Sequence, residues 1–233
     1  QRDLTSGPER ERILAKMVKV SAEGLADLEA SIELYSELFK KNPKSDQAFG
    51  ALELALEKAG RWEDLRVLLA GKIPQTAEPR ELVRLNEKLG VVLYRHLGRG
   101  EEAIAPLRTA LERDARNRNA LETLRDIDEQ LGRREELVAV LRRLIPLQEN
   151  PEGVKALRIR LAEVLGEMQR REEALDAARR SLEIEPHNVP DLDRVNKLFL
   201  GLRAFGDAVR TLELKAEVWQ RLEEKEGVIS ALF

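Results

Sequence analysis

The 233-residue chain contains no cysteine. Disulfides, thiol nucleophiles and thiolate metal sites are therefore outside its chemistry, and the absence fits a reducing compartment. Aromatic residues make up only 4%, so any core has to be built from aliphatic side chains. Helix breakers are sparse, with 14 glycines and 9 prolines. No run of about 18 apolar residues occurs, so no membrane-spanning helix is expected. No signal-peptide pattern is visible, and the chain opens on Gln1 rather than Met. It reads as an excised fragment, from which any targeting segment could be missing; the compartment stays open, with the cytoplasm favoured. The net charge of −3 lacks the basic excess typical of nucleic-acid binders. What is abundant is charge, 36%, beside 42% hydrophobic residues. Rich in Ala, Leu, Glu and Arg, this is the composition of a mostly helical protein.

The sequence repeats itself. Small or apolar residues follow a turn at Ser31, Leu65, Ala103, Leu137, Ala174 and Ala208, with steps of 34, 38, 34, 37 and 34 residues. Five positions before each anchor stands a turn residue: Ala26, Gly60, Gly98, Gly132, Gln169 and Arg203. Glycine there supplies a positive φ at little steric cost. Proline occurs twelve residues after the anchor at Pro43 and Pro186, where it stops a helix. Between turns the apolar residues keep helical spacing. Leu121, Leu124, Ile127 and Leu131 form one stripe, and Leu137, Leu141 and Leu144 another. Each pair of helices makes an antiparallel hairpin too small to bury its own face, so hairpins are expected to stack on one another.

A helix–turn–helix unit of about 34 residues, with a small anchor and a proline near its end, resembles the tetratricopeptide repeat. "LGRGEEAIAPLRTALERDARN" (97–117) and "MQRREEALDAARRSLEIEPHN" (168–188) carry the resemblance best, which extends from Glu11 to Gln220. It departs at the first-helix signature, where Phe49, Leu121 and Leu192 replace tryptophan. In the third repeat Leu89-Gly90 sits one residue further from its turn than usual. The expectation is one all-α domain over 1–233, a right-handed superhelix of antiparallel helix pairs. Its repeats would cover about 12–45, 46–79, 84–117, 118–151, 155–188 and 189–222, with 223–233 opening a truncated seventh. The longer steps suggest a doublet of about 71 residues. The extra residues fall in "AGKIPQTAEPRE" and "LIPLQENPEGVK", each with two prolines, so loops or bends followed by longer helices are expected there.

No catalytic constellation emerges. His96 and His187 lie in different repeats and read as surface or satisfied histidines. No His/Asp cluster has metal-ligand spacing, and "GRG" at 98–100 reads as a helix–helix turn rather than a phosphate loop. The pairs Glu101-Glu102, Glu135-Glu136 and Glu172-Glu173 open second helices, where negative charge favours the dipole. Arg142-Arg143 and Arg179-Arg180 read as solvated, and Pro106 as a slight bend. Trp62 and Phe205 are expected as core wedges just after their turns, with Tyr35 and Tyr94 packing within repeats. Neither a cofactor nor a metal is implied, and no enzymatic activity.

The resemblance implies a concave groove lined by first helices, where a peptide docks. Counting back from each turn puts Gly50, Leu54 and Glu57 there from repeat two, and Lys88, Val92 and Arg95 from repeat three. Repeat four gives Glu122, Asp126 and Glu129; repeat five gives Ile159, Glu163 and Glu167. The middle of the groove is therefore expected to be acidic. Glu122 and Asp126 stand where one subtype uses Lys and Asn to clamp a carboxylate, and like charges oppose that ligand. A basic or mixed-charge peptide fits better. The function expected is a noncatalytic protein-interaction scaffold, part of a larger bacterial assembly, motility, secretion or signalling protein. The bacterial origin is read from 28 Arg against 12 Lys. The alternative is a regulatory or targeting module of a multidomain enzyme. RNA binding is disfavoured by charge balance. Self-association through end-helix residues Trp219, Leu222 and Ile229 is a further expectation.

Overall fold

First helices begin where a short polar side chain can accept a hydrogen bond from an orphan backbone N–H. Ser45 Oγ accepts from Ala48 N at 3.2 Å and Asn117 Oδ1 from Ala120 N at 3.0 Å. Glu78, Asn150 and Asn188 cap in the same way. Second helices lack such caps at Arg61, Arg133 and Arg170. There the arginine folds forward onto an acid of the first turn, in the pairs Arg61–Asp64, Arg133–Glu136 and Arg170–Glu173. The acidic pairs thus sit at positive helix ends and also bind the arginines that precede them.

The computed structural model describes residues 28–185 and 187–232, the side chains of 224–232 excepted. The expected first helix of repeat 12–45, the turn at Ala26, Pro186 and the Ile229 side chain lie outside what is described. Eleven α-helices and no strand occur among the described residues. They are α1 (Leu28–Lys41), α2 (Asp46–Lys58), α3 (Trp62–Lys72), α4 (Pro79–Val91), α5 (Gly100–Arg113), α6 (Arg118–Gln130), α7 (Arg134–Leu144), α8 (Pro151–Glu167), α9 (Arg171–Leu182), α10 (Val189–Gly201) and α11 (Phe205–Leu232). The chain divides into two units, Gln1–Arg113 and Asp114–Phe233.

In the first unit α4 packs closely on α5, and α2 on both α1 and α3. Its main core joins Ile32 and Tyr35 of α1 to Phe49, Leu52 and Leu56 of α2, Leu65 and Leu69 of α3 and Leu85 of α4. In the second unit the pairs are α6 with α7, α8 with α9, and α10 with α11. One cluster runs from Leu137 and Leu141 through Ile159, Leu165, Ala174 and Ala178 to Val195, Phe199 and Ala208. All six anchors are at most 4% exposed; small or aliphatic residues there let two helices approach. Burial of such side chains is the main stabilising term, roughly 25 cal/mol per Å² of apolar surface.

The turns share one geometry. Gly60, Gly98 and Gly132 have φ of 66°, 67° and 65°. Gln169 and Arg203 adopt φ of 60° and 56° without glycine's freedom. Each turn closes with a backbone bond back across the helix end, such as Arg133 N to Asp128 O at 2.9 Å and Arg170 N to Leu165 O at 2.9 Å. At Gly98 the bond reaches one residue further, Arg99 N to Leu93 O at 2.8 Å. Here Val92–His96 winds as a π-helix continuing α4. The one-residue excess before this turn is absorbed by that wider winding.

The two proline-containing joints take the same form. Ile73–Gln75 and Ile145–Leu147 are 3₁₀ turns, and Pro79 and Pro151 then open α4 and α8 as first-turn residues. The following helices are longer, as the joints suggest: α8 has 17 residues, and α4 with its π segment runs from Pro79 to His96, against 13 for α2, α6 and α10. Pro106 lies inside α5. The helix α11 runs unbroken through position 223 to Leu232, where a new repeat was expected to open.

Candidate docking faces

In the second unit the first helices α6, α8 and α10 are joined by a ladder of charge. Glu129 Oε1 accepts from Arg160 Nε at 2.8 Å, and Arg160 Nη1 reaches Glu163 at 3.4 Å. Glu163 in turn takes both Nε and Nη2 of Arg194, each at 2.8 Å. Burial opposes charge on Arg160, but its bonds to Glu129 and Glu163 outweigh that and raise its pKa. Glu167 meets Arg134 at 2.9 Å, Glu122 meets Arg118 at 2.7 Å, and Asp126 meets Arg125 at 2.6 Å. Every carboxylate of the expected acidic set thus has an arginine beside it. The face is mixed in charge rather than acidic, because arginines on the same helices, on the next first helix or, for Glu167, at the start of α7 fold onto the acids.

In the first unit the corresponding residues form a tighter network. Glu53, 6% exposed, takes Arg84 through two bonds of 2.7 and 3.2 Å and Lys88 at 2.6 Å. Lys88 also holds Glu57 at 2.8 Å, and Arg84 holds Glu81 at 2.8 Å. Burial raises the Glu53 carboxyl, yet the bonds from Arg84 and Lys88 overcome it and the net shift is downward. Arg95 is exposed and carries no ion pair among the described residues. Gly50 and Leu54 are exposed on α2.

Beside this network lies a cleft of about 1110 Å³, between the opening turns of α2 and α4 and the 3₁₀ joint. Phe49 forms part of its wall. The buried Lys72 ammonium sits 5.3 Å from that ring's centre and 2.8 Å from Asp46 Oδ1. Gly50 leaves the wall open, with nothing within 4 Å of where its Cβ would stand. Lys44 and Arg80 line the cleft without ion pairs among the described residues. Of the lining residues, the sequence placed only Gly50 among the docking positions. The remaining lining residues come from three segments that no local spacing connects.

The two aromatic residues after turns behave differently. Trp62 stacks on His96, with ring centres 3.6 Å apart and planes 13° off parallel. Phe205, expected as a core wedge, is instead 63% exposed. Trp62 is covered by the end of the next first helix, whereas no described helix follows α11 to cover Phe205. Tyr35 is buried, which pushes its pKa up to about 12; Tyr94 is half-buried. The arginine pairs read as solvated are exposed but paired, Arg179 with Asp207 at 3.0 and 2.8 Å, and Arg142 with Glu173. His187 is held below its ordinary pKa, chiefly by burial and then by Lys155. Among the described residues no group of three or more His, Asp or Glu could hold a metal ion, and no helix is long and apolar enough to cross a membrane.

No protein-family model matches the sequence, and no curated protein matches it. Solved structures do. YrrB, a TPR protein with an unusual peptide-binding site, is 16% identical with a TM-score of 0.54, over 77% of this chain and 87% of its own. MamA is 18% identical with a TM-score of 0.52, over 72% of this chain and 95% of its own. A chain of the Naa15/Naa10 complex bound to HypK-THB is 17% identical with a TM-score of 0.60, over 93% of this chain and 35% of its own. At these identities the likeness is one of fold, and in fold this chain is a tetratricopeptide-like repeat protein.

Proposed function

We propose that the chain is a noncatalytic protein-interaction scaffold that docks a mixed-charge peptide segment on the exposed faces of its first helices, within a larger bacterial assembly. The observation that carries this reading is the cleft beside α2. It offers an open position at Gly50, beside the buried Phe49, and two cations, Lys44 and Arg80, that have no ion-pair partner among the described residues. On the first unit Lys88 and Arg95 are the docking residues of this reading, and on the second unit, taken by itself, Glu122, Asp126, Glu129, Glu163 and Glu167. Glu122 and Asp126 are paired only along their own helix, so a ligand cation can take over from Arg118 or Arg125. Glu129 and Glu163 are held by neighbouring helices and keep the face in shape. YrrB, which has an unusual peptide-binding site, and the Naa15/Naa10 complex, bound to HypK-THB, support the class of function by analogy.

The test is affinity capture with this chain, then titration of the captured segment against two variants. Gly50→Leu fills the open position without touching the core, and should weaken a segment held by the first unit about tenfold or more. Glu122→Ala/Asp126→Ala should weaken a segment held by the second unit and flatten its salt dependence. A segment that binds both variants as it binds the parent chain would dispose of these faces.

A further inference from the structure

Seven residues after its anchor, a second helix turns a side chain inward. The slot holds Ala110 in α5, Leu144 in α7 and Ser181 in α9, each at most 3% exposed. In α3 it holds Lys72, whose side chain is 8% exposed. The lysine recurs in α11 as Lys215, but there the side chain is 27% exposed. Stacking of the helices therefore does not call for a charge at this slot, and a buried ammonium is costly unless a counter-charge meets it. Among the described residues that counter-charge is Asp46, 2.8 Å away, with the centre of the Phe49 ring at 5.3 Å.

The pair is lopsided. Lys72 is buried, whereas the Asp46 side chain is 89% exposed. Glu53 shows the contrary arrangement: it is itself buried, and Arg84 and Lys88 of the next first helix hold it from two sides. Lys72 and Asp46 both line the cleft of about 1110 Å³. Asp46 stands in the first turn of α2 and can swing into water, where the positive helix end still favours its charge. Lys44 and Arg80 line the same cleft, exposed and without ion pairs among the described residues. One and two turns along α2 from Asp46, Gly50 and Leu54 form a short exposed stripe, with Leu54 48% exposed.

We infer that Asp46 is a placeholder for the carboxylate of an acidic peptide, which takes Lys72 from it and lies between Lys44 and Arg80. The inference rests on the docking reading of this cleft and adds the chemistry of the residue that enters it. The exchange is one carboxylate for another, so Lys72 is never left without a counter-charge. As many acids as bases line the cleft. A single carboxylate is therefore drawn to the cations, while a polyphosphate would also meet repulsion from Glu53, Glu78 and Glu81. Gly50 leaves room for the ligand's backbone, with nothing within 4 Å of where its Cβ would stand. From position 46 to position 54 the helix rises about 12 Å, a distance that an extended segment covers in about four residues. The fitting segment carries an acidic residue and, about four positions away, an apolar one for Leu54. None of the three cations is a groove position read from the sequence: Lys72 ends a second helix, Lys44 precedes α2, and Arg80 opens α4.

The test is an NMR titration of the nitrogen-15-labelled chain with a short synthetic peptide that has paired central aspartates and a leucine near each end. The aspartate peptide should shift the amide signals of Lys44, Gly50 and Arg80 and saturate, and its asparagine twin should not. Asp46→Asn should tighten the aspartate peptide about threefold or more, and Lys44→Ala/Arg80→Ala, both on exposed side chains, should weaken it about tenfold. The gain from Asp46→Asn should vanish in the Asp46→Asn/Lys72→Met chain, because it passes through Lys72. An asparagine peptide that binds as well, no gain from Asp46→Asn, or a gain that survives Lys72→Met overturns the proposal. So does a short single-stranded oligonucleotide that shifts the same signals more strongly than the peptide. The docking reading itself is judged by Gly50→Leu. If a captured segment is weakened by Gly50→Leu while the aspartate peptide fails, the acidic occupant falls and the docking cleft stands.

Discussion

Arg194 of α10 grips Glu163 of α8 with two nitrogens, each 2.8 Å from a carboxylate oxygen, across 31 residues of sequence. The same interval separates Glu129 from Arg160 and Glu53 from Arg84. One first helix thus offers an acid that the next first helix clasps with arginine, a connection laid outside the apolar core. Arg194 and Glu163 are 43% and 24% exposed, so solvent screens them. A double-mutant cycle with Glu163→Ala and Arg194→Ala should give a coupling of about 0.5–1 kcal/mol. The coupling should shrink as salt is raised. No coupling at low salt would mean that the ladder is ornamental.

Acid should act on the first unit through Glu53. Its carboxyl is pushed up by burial and down, more strongly, by the bonds and charges of Arg84 and Lys88. A carboxyl whose folded pKa is lowered contributes stability above its unfolded pKa and loses it as pH falls through the folded value. Thermal melts of the parent chain should therefore fall on acidification below the ordinary carboxylate range. Glu53→Gln should be less stable at neutral pH, by about 1–3 kcal/mol for the lost charged bonds, and should show a flatter acid limb. An unchanged slope in the variant would place the acid sensitivity elsewhere.

Two glycines in helices should respond oppositely to the same change. A Cβ at Gly90 would stand 2.4 Å from Leu107 Cγ and 2.6 Å from its Cδ2. Gly90→Ala forces α4 away from α5, and should cost about 1–3 kcal/mol despite alanine's better helix propensity. Gly50 has open space, and Gly50→Ala should gain about 0.5–1 kcal/mol. Denaturant midpoints for the two variants decide it. If both are stabilised, helix propensity rather than the contact with Leu107 governs position 90.

The turn at Gln169 carries the backbone geometry of Gly60 without glycine, with φ of 60° against 66°. Left-handed backbone costs a side-chain-bearing residue about 1–2 kcal/mol. Gln169→Gly should therefore stabilise the second unit by about 0.5–1 kcal/mol, after allowing for the greater freedom of glycine in the unfolded chain. Gly132→Gln should cost a similar amount at its own turn, and chemical denaturation of the pair checks both. A destabilised Gln169→Gly would show that its side chain does more than bear strain.

What was legible from residues is what depends on neighbours along the chain. The anchors from Ser31 to Ala208, the turn positions and the doubled proline joints are patterns of spacing, and spacing alone tells a helix which side to bury. The extra residue before Gly98 was visible too, as a count, but its form was not. A surplus residue can loop out or widen the winding, and the packing of α4 on α5 decided for the π-helix.

The candidate faces were legible only as positions. Glu122, Asp126, Glu129, Glu163 and Glu167 read as a row of negative charge because charge can be counted in sequence, whereas pairing cannot. Arg160 and Arg194 pair with Glu129 and Glu163 from the next first helix, at a distance of 31 residues that no helical period reveals. Phe205 and Trp62 occupy the same slot, and only the presence or absence of a covering helix separates a stacked ring from a bare one. Local periodicity determined the helices, their ends and their buried sides. Which charges meet, where a cleft opens and which apolar stripe stays uncovered were decided when the helices packed, because those depend on distances across space that the order of residues does not encode.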